Sequence, residues 1–262
     1  MSTARFPIPP PLCIADDATF WPWQRWPQFS TRPERASNVV VVPVVGMADW
    51  GLGHALDAEE YVLTSVLRAA AQKKPDDLPL LVVPPLRFVL EPHSECAFPV
   101  DAPTAHGFID EVAASIAAAG FRKIVLFNSS PWNEELCDAA ARDLRIARGL
   151  QMFCINLSAL GLDFLPLRSS HARRWELQTL VTALTGTLPE RPASPAATKA
   201  PPEAWGEERI EPLTGKIASV EVAASSSEKL LDAAAKRLVG LFKEIHARAP
   251  LADEGRISTA TP

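Results

Sequence analysis

The sequence predicts one α/β domain in which a mainly parallel sheet lies between layers of helices. Short apolar runs alternate along the chain with longer amphipathic stretches, and this alternation is typical of βαβ units. The apolar runs are continuous rather than alternating, which indicates strands that are covered on both faces. With 262 residues, of which 47% are hydrophobic and 22% charged, the chain can bury one large core.

The predicted strands are rich in β-branched and aromatic residues, and each ends at a glycine, a proline or a polar cluster. They cover residues 38–45, 78–83, 124–127 and 152–157.

The predicted helices are recognised from apolar residues at helical spacing and from residues that begin or end a helix. They run from an Asp57 cap to about Lys73, from Pro103 or Thr104 to Gly120, from an Asn133 cap to Gly149, from a Ser169 or Ser170 cap through Leu184 to a stop at Gly186, and from Ser227 to Arg248.

Composition divides the chain into three predicted parts. Residues 1–37 are rich in proline and tryptophan and are expected to pack on the domain. Residues 38–248 form the domain, with an exposed Pro/Ala-rich loop at 187–206. Residues 249–262 are expected to be a disordered tail.

Charge and cysteine usage argue against several classes of function. A net charge of -5, with a pI near 5.6 and no basic stripe, gives no reason to expect nucleic-acid binding. No apolar run of membrane-spanning length and no secretory signal are found, so we expect a cytoplasmic protein. The four cysteines are scattered without CxxC spacing, which predicts reduced thiols rather than a zinc knuckle or a disulfide framework.

The most informative stretch is residues 120–149, which predicts a strand, a turn and a helix. In open α/β sheets, ligands bind at the carboxyl ends of the strands. We therefore expect residues 128–133, with the sequence Asn-Ser-Ser-Pro-Trp-Asn, to line any active centre.

Four blocks of the chain, taken in order, resemble the creatininase family, which contains creatinine amidohydrolases and related amide hydrolases. The blocks are Pro43–Gly46 leading into residues 47–59, Phe98–Pro99, Gly120–Val125 with residues 128–133, and His171–Glu176. The resemblance covers about residues 20–248, and its third block is the most specific. It implies the three-layer α/β fold and an oligomer, commonly a hexamer.

The resemblance also implies two divalent metals, zinc or manganese, but the ligands differ in this chain. Four positions that hold metal ligands in the family correspond here to Ala48, Trp50, Glu59 and Ser130, and Trp132 replaces a further pocket residue. Alanine and tryptophan offer no oxygen or imidazole donor to a metal. No metal or other cofactor is therefore expected, and Glu59, His54 and Asp57 remain the weak candidate ligands.

Other family positions are retained. By resemblance, His171 is the candidate catalytic acid/base and Glu176 its partner. The candidate substrate-binding residues are Asn128, Ser129, Ser130, Trp132, Asn133, Trp50 and Asp49.

Three alternatives stay open at this point. Ser129 or Ser130 is either a nucleophile beside His171, with Glu176 or Asp49 orienting the base, or a capping residue, which is commoner in such turns. Trp50 and Trp132 either stack on a planar ligand or fill the space left by the metals. A relocated metal site is weighed against ordinary polar loop residues, and it would use His54, His93, His106, Glu59 and Glu95.

The sequence thus leads to two hypotheses. In the first, the chain is a divergent family member, a pseudoenzyme that has lost metal-dependent hydrolysis and acts as a binding or scaffolding subunit. Its partners would be further copies of itself or an active paralogue, with a small-molecule ligand also possible. In the second, it is an amidohydrolase that cleaves a small cyclic amide or related C–N bond in a remodelled pocket.

Overall fold

The computed structural model describes residues 19–32, 34–90, 96–190, 213 and 216–249. In chain order the helices and strands are α1 (Trp26–Thr31), β1 (Val39–Val45), α2 (Ala58–Lys73), β2 (Leu80–Val82), β3 (Leu86–Arg87), β4 (Val89–Leu90), β5 (Pro99–Val100), α3 (Ala102–Ala118), β6 (Lys123–Asn128), α4 (Glu134–Arg148), β7 (Gln151–Asn156), α5 (His171–Thr185) and α6 (Val220–Ala247).

A parallel sheet forms the centre of the molecule. Its strands lie in the order β2-β1-β6-β7, and β3 pairs with β1 beyond the end of β2. The strands β4 and β5 form a separate parallel pair. In the register of the main sheet, Val44 lies beside Asn128, and Asn128 lies beside Asn156. The carboxyl ends of β1, β6 and β7 therefore meet at one edge.

Helices cover both faces of the sheet, which confirms the predicted fold class. Val39, Val41 and Val45 pack in one core with α2, α5 and α6, while Val40, Val42 and Val44 pack in a second core with α3 and α4. Successive residues of a strand point to opposite faces. Every residue of β1 is buried, which explains its unbroken apolar sequence.

The predicted start of the last helix is wrong. Helix α6 begins at Val220 rather than Ser227, and the Ser219 hydroxyl caps it by accepting from the Val222 amide. The run of serines at 225–227 does not interrupt the helix, and the Ser226 hydroxyl donates to the Val222 carbonyl. A serine is tolerated within a helix when its hydroxyl donates a hydrogen bond to the carbonyl four residues earlier.

Two other helix starts differ in detail from the prediction. Helix α3 begins at Ala102 rather than at Pro103 or Thr104, and Asp101 caps it by accepting from the Thr104 amide at 2.7 Å. Asn133 does precede α4, but its side chain does not cap the helix. Instead it donates to the Phe88 carbonyl and accepts from the Leu90 amide, so it ties the turn after β6 to β4.

The N-terminal segment lies against the edge of the sheet. Phe20 forms a parallel β-bridge with Val82 of β2, and the ring centroids of Trp21 and Phe121 lie 5.0 Å apart. Residues 1–18, most of the predicted loop at 187–206 and nearly all of the predicted tail lie outside the described residues. Within the described part, no helix combines the length and hydropathy needed to cross a bilayer.

Candidate functional site

The candidate site lies where the carboxyl ends of β1 and β6 meet the first turn of α2. Gly46 follows β1, Ser129 and Ser130 follow β6, and Glu59 comes from α2. Backbone pairing continues one residue past β6, because the Ser129 amide donates to the Val44 carbonyl at 3.0 Å. This pairing brings the two strand ends close enough for the Gly46 amide and the Ser129 hydroxyl to share one partner.

That partner is the Glu59 carboxylate, which is fully buried. Its Oε1 accepts from the Trp50 indole Nε1 at 2.7 Å. Its Oε2 accepts from the Ser129 hydroxyl at 2.7 Å and from the Gly46 amide at 3.1 Å. Both oxygens are therefore held by hydrogen-bond donors of the protein itself.

Burial raises the pKa of Glu59 to about 7, and the hydrogen bonds from Ser129, Trp50 and Gly46 oppose the rise. Loss of water disfavours the charged form of a carboxyl group, whereas donors favour it. Since the resulting pKa lies near 7, the charge of this buried carboxyl group depends on pH in the physiological range.

Two indole rings close the site. Trp50, only 2% exposed, stacks on Trp132 with ring centroids 4.4 Å apart and an angle of 26° between the planes. Trp50 also contacts Phe164 at 5.8 Å between centroids. The Trp50 ring thus occupies the space beside Glu59, and stacking of the two rings on a planar ligand stays a prediction.

Helix α5 holds the loop that carries Trp50. The Arg174 guanidinium donates to the Trp50 carbonyl at 3.2 Å, and the Gln178 amide group donates to the Leu52 carbonyl at 2.8 Å. The His54 Nε2 lies 3.0 Å from the Thr182 hydroxyl. Burial lowers the pKa of His54 to about 4, although a hydrogen bond to the Gln178 backbone opposes this. His54 is therefore a neutral residue that ties the loop to α5.

A second network supports the turn after β6. Asn128 donates from Nδ2 to the Ser130 carbonyl at 2.8 Å and to the Asn156 side-chain oxygen at 2.9 Å, and its own Oδ1 accepts from the Ser130 amide. The Ser130 hydroxyl is buried without a hydrogen-bond partner among the described residues. Asn128 and Ser130 are thus brought together as predicted, and Asn128 shapes the backbone of the turn.

The predicted catalytic pair lies elsewhere. His171 is the first residue of α5 and is exposed. Glu176 is exposed as well and forms an ion pair with Arg173 at 2.8 Å. Neither side chain hydrogen-bonds to Glu59, Ser129 or Ser130 within the described structure, so their catalytic roles stay a prediction.

The remaining candidate substrate-binding and metal-ligating residues lie apart from one another or outside the described residues. Asp49 is exposed and accepts from the Gly51 amide, and Asp57 precedes α2 without capping it. Burial raises the pKa of Asp57. His106 lies 3.3 Å from Asp143 on the α3–α4 side of the molecule. His93 and Glu95 lie outside the described residues.

The described residues do not fit the two divalent metals that the resemblance implied. A dinuclear site needs several oxygen or imidazole donors that converge on each ion. Here the oxygens of Glu59 face an indole N–H, a hydroxyl and a backbone amide. Over the described ranges, no group of three or more His, Cys, Asp or Glu residues could hold a metal.

Sequence reasoning missed several contributors to the site. The sequence marks Gly46 as the end of a strand and part of a family block, and it gives no functional signal for Asn156, Gln178 or Phe164. Their roles follow from strand register and from the packing of α5, which a single sequence does not reveal.

Solved structures resemble this fold. A glutamine-for-glutamate variant of creatininase in complex with creatine is 19% identical, with a TM-score of 0.62, and the match covers 88% of this chain and 100% of that one. A crystal structure of creatinine amidohydrolase is 18% identical, with a TM-score of 0.62 over 89% and 100% of the two chains. A putative creatinine amidohydrolase from Bacteroides fragilis NCTC 9343 is 12% identical, with a TM-score of 0.59 over 89% and 98%.

The chain thus has the α/β fold of these creatininase structures. A family model described as creatininase, creatinine amidohydrolase, matches residues 24–242. The chain belongs to the creatininase family, which confirms the resemblance inferred from its sequence blocks. A search of curated proteins found no match.

Gly46→Ala is expected to destabilise the protein. An added Cβ would lie 2.8 Å from both Glu59 oxygens and 2.9 Å from the Ser130 Cβ. Forcing such a contact in a packed region costs about 1–3 kcal/mol.

Gly107→Ala is the matched control, because its Cβ meets nothing within 4 Å in the middle of α3. It should stabilise by about 0.5–1 kcal/mol. Urea unfolding of both variants checks this, and equal stabilities would contradict the crowding described at Gly46.

Glu59 should make stability fall as pH rises from about 4.5 to about 7. Its ordinary pKa is 4.5 and its folded pKa about 7, so in this window the folded state binds more protons than the unfolded state. The stabilisation is complete below 4.5 and is lost as pH rises through 7. At 1.36 kcal/mol per pKa unit, the loss is roughly 3 kcal/mol.

The measurement is the free energy of unfolding of wild type minus that of Glu59→Gln, at several pH values. This difference should decline across the window and then level off. Glu135→Gln, at an exposed carboxylate in the first turn of α4, is the control. A difference for Glu59→Gln that is constant with pH would show that Glu59 does not titrate in this range.

Proposed function

We propose that this chain is a creatininase-family member that does not carry out metal-dependent amide hydrolysis and that acts as a binding or scaffolding subunit. The observation that carries the proposal is the set of contacts around Glu59. The carboxylate at a metal-ligand position of the family accepts three hydrogen bonds from the protein, and one of them comes from the indole of Trp50, which by the resemblance also stands at a metal-ligand position.

The closed site also favours this proposal over the amidohydrolase alternative. Hydrolysis requires a substrate carbonyl to approach both a nucleophile and an acid/base group. Glu59 and Ser130 have no exposed surface, Ser129 is 4% exposed, and His171 and Glu176 lie on the surface.

For the partner, we propose further copies of this chain, and an active paralogue is the alternative. Phe98 supports a contact surface near the site. It is 73% exposed and has a φ of +55°, which is strained for a bulky residue. The neighbouring Ala97 amide donates to the Met47 carbonyl, so Phe98 adjoins the loop that leads to Trp50. The three free cysteines in the described part agree with a reducing, cytoplasmic location.

Native mass spectrometry after incubation with zinc or manganese tests metal content and subunit count in one sample. The proposal predicts a homo-oligomer that carries well below one metal per chain. A matched variant, Ala48→Glu with Trp50→His and Ser130→His, restores carboxylate and imidazole donors at three positions that hold metal ligands in the family, and it should gain metal. About two metals per wild-type chain would overturn the proposal, and a monomer would overturn its assembly role.

Turnover of creatinine and other small cyclic amides is the second readout. The proposal predicts none above background for the purified protein. If turnover is found and His171→Ala abolishes it, the chain is an amidohydrolase with a remodelled pocket.

A further inference from the structure

A cleft of about 400 Å³ lies at the edge of the sheet opposite the candidate site, where β1 and β2 begin. Among the residues that line it are Arg32, Glu34, Asn38, Asp76, Asp77 and His246. Asn38 directly precedes β1, and the turn with Asp76 and Asp77 joins α2 to β2. Ligand-binding clefts commonly have volumes of about 300–1,000 Å³. The cleft is therefore large enough for a small molecule, and it shares no residue with the candidate site.

Hydrogen bonds around a buried asparagine fix the shape of the cleft. Asn38 is 2% exposed, its Oδ1 accepts from Arg32 Nε at 2.8 Å, and its Nδ2 donates to the Glu34 carbonyl at 2.9 Å. His246, the residue before the end of α6, donates from Nδ1 to the Ser37 carbonyl at 3.0 Å. In the neutral ring, Nε2 is then a hydrogen-bond acceptor. The cleft is thus formed in advance, which lowers the entropic cost of binding a ligand.

The Arg32 guanidinium in this cleft has hydrogen-bond donors to spare. It is half-buried, and burial lowers its pKa. Arg87 is half-buried too, but it forms a two-pronged pair with Glu60 at 2.8 and 2.6 Å. Within the part of the chain that the structure describes, Arg32 has no carboxylate partner, and only its Nε donates. A guanidinium fork matches the geometry of a carboxylate, so Arg32 suits a carboxylate group of a ligand.

Three carboxylates line the same cleft. Glu34, Asp76 and Asp77 are exposed, and none of them forms an ion pair with a described residue. With one guanidinium against three carboxylates and a neutral His246, the lining carries a net charge of -2. No three acidic, histidine or cysteine side chains of the described ranges converge as a metal ion requires. A molecule with ammonium groups at separate points can reach carboxylates that a single ion cannot.

We propose that this cleft binds an amino acid with a cationic side chain, such as lysine. The ligand carboxylate pairs with Arg32, and its two ammonium groups pair with Glu34, Asp76 and Asp77. The Nε2 of His246 accepts a further hydrogen bond from an ammonium group. The net positive charge of lysine complements the net negative charge of the lining. The site is separate from Glu59 and does not depend on the proposed function.

Isothermal titration calorimetry of the full chain with L-lysine and its partial analogues tests the site. We expect saturable binding of lysine at one site per chain. The analogue 1,5-diaminopentane lacks the carboxylate and 6-aminohexanoate lacks the α-ammonium group, so each should bind about tenfold more weakly. L-Glutamate should not compete. Absence of saturable lysine binding at millimolar concentrations, or equal binding of lysine and 1,5-diaminopentane, would overturn the proposal.

Two variants locate the binding in the cleft. Asp76→Asn with Asp77→Asn removes two exposed carboxylates and should weaken lysine binding about tenfold. Arg32→Gln should weaken lysine binding but leave the binding of 1,5-diaminopentane unchanged, because that analogue has no carboxylate. Arg142→Gln, at an exposed arginine of α4, is the control and should bind lysine as wild type does.

The melting temperature of each variant, measured beside the titration, shows whether it is folded. Wild-type affinity in the folded aspartate variant would overturn the site. An equal loss of lysine and diaminopentane binding in folded Arg32→Gln would overturn the pairing of the ligand carboxylate with Arg32.

Discussion

A carboxylate that has lost all contact with water must be matched by a cation, by a proton or by hydrogen-bond donors, because an unpaired buried charge is very costly. Glu59 imposes this constraint on the end of β1. Its position in the first turn of α2 fixes which groups can reach it: the amide after β1, the hydroxyl after β6 and one side chain from the intervening loop.

The rest of the site can be understood as meeting that constraint. Position 46 has no room for a side chain, since a Cβ would touch both carboxylate oxygens. The indole of Trp50 needs a fixed orientation to donate to Oε1, and stacking on Trp132 and contact with Phe164 provide it. The loop that carries Trp50 is then fastened to α5 through Arg174, Gln178 and His54. The contacts around Glu59 thus link the ends of β1 and β6, the first turn of α2 and the loop that precedes it.

Much of this architecture could be predicted from the sequence because it depends on local patterns. Unbroken β-branched runs gave the strands, and Gly149 and Gly186 in left-handed conformations end α4 and α5 as expected. Asn133 illustrates the limit of such reasoning. It occupies the N-cap position of α4, but its side chain hydrogen-bonds to the backbone of Phe88 and Leu90 instead. The Trp50–Glu59 bond, the role of Asn156 and the outward position of His171 depend on tertiary packing. Local sequence carries no signal for them.

An experimental structure of the protein determined with excess zinc tests the central claim most directly. The account predicts the Trp50 indole nitrogen within hydrogen-bonding distance of the Glu59 carboxylate, with Ser129 and Gly46 on the other oxygen and no ion between the strand ends. A zinc ion bonded to Glu59 at about 2.0–2.2 Å, with Trp50 displaced from the carboxylate, would contradict it.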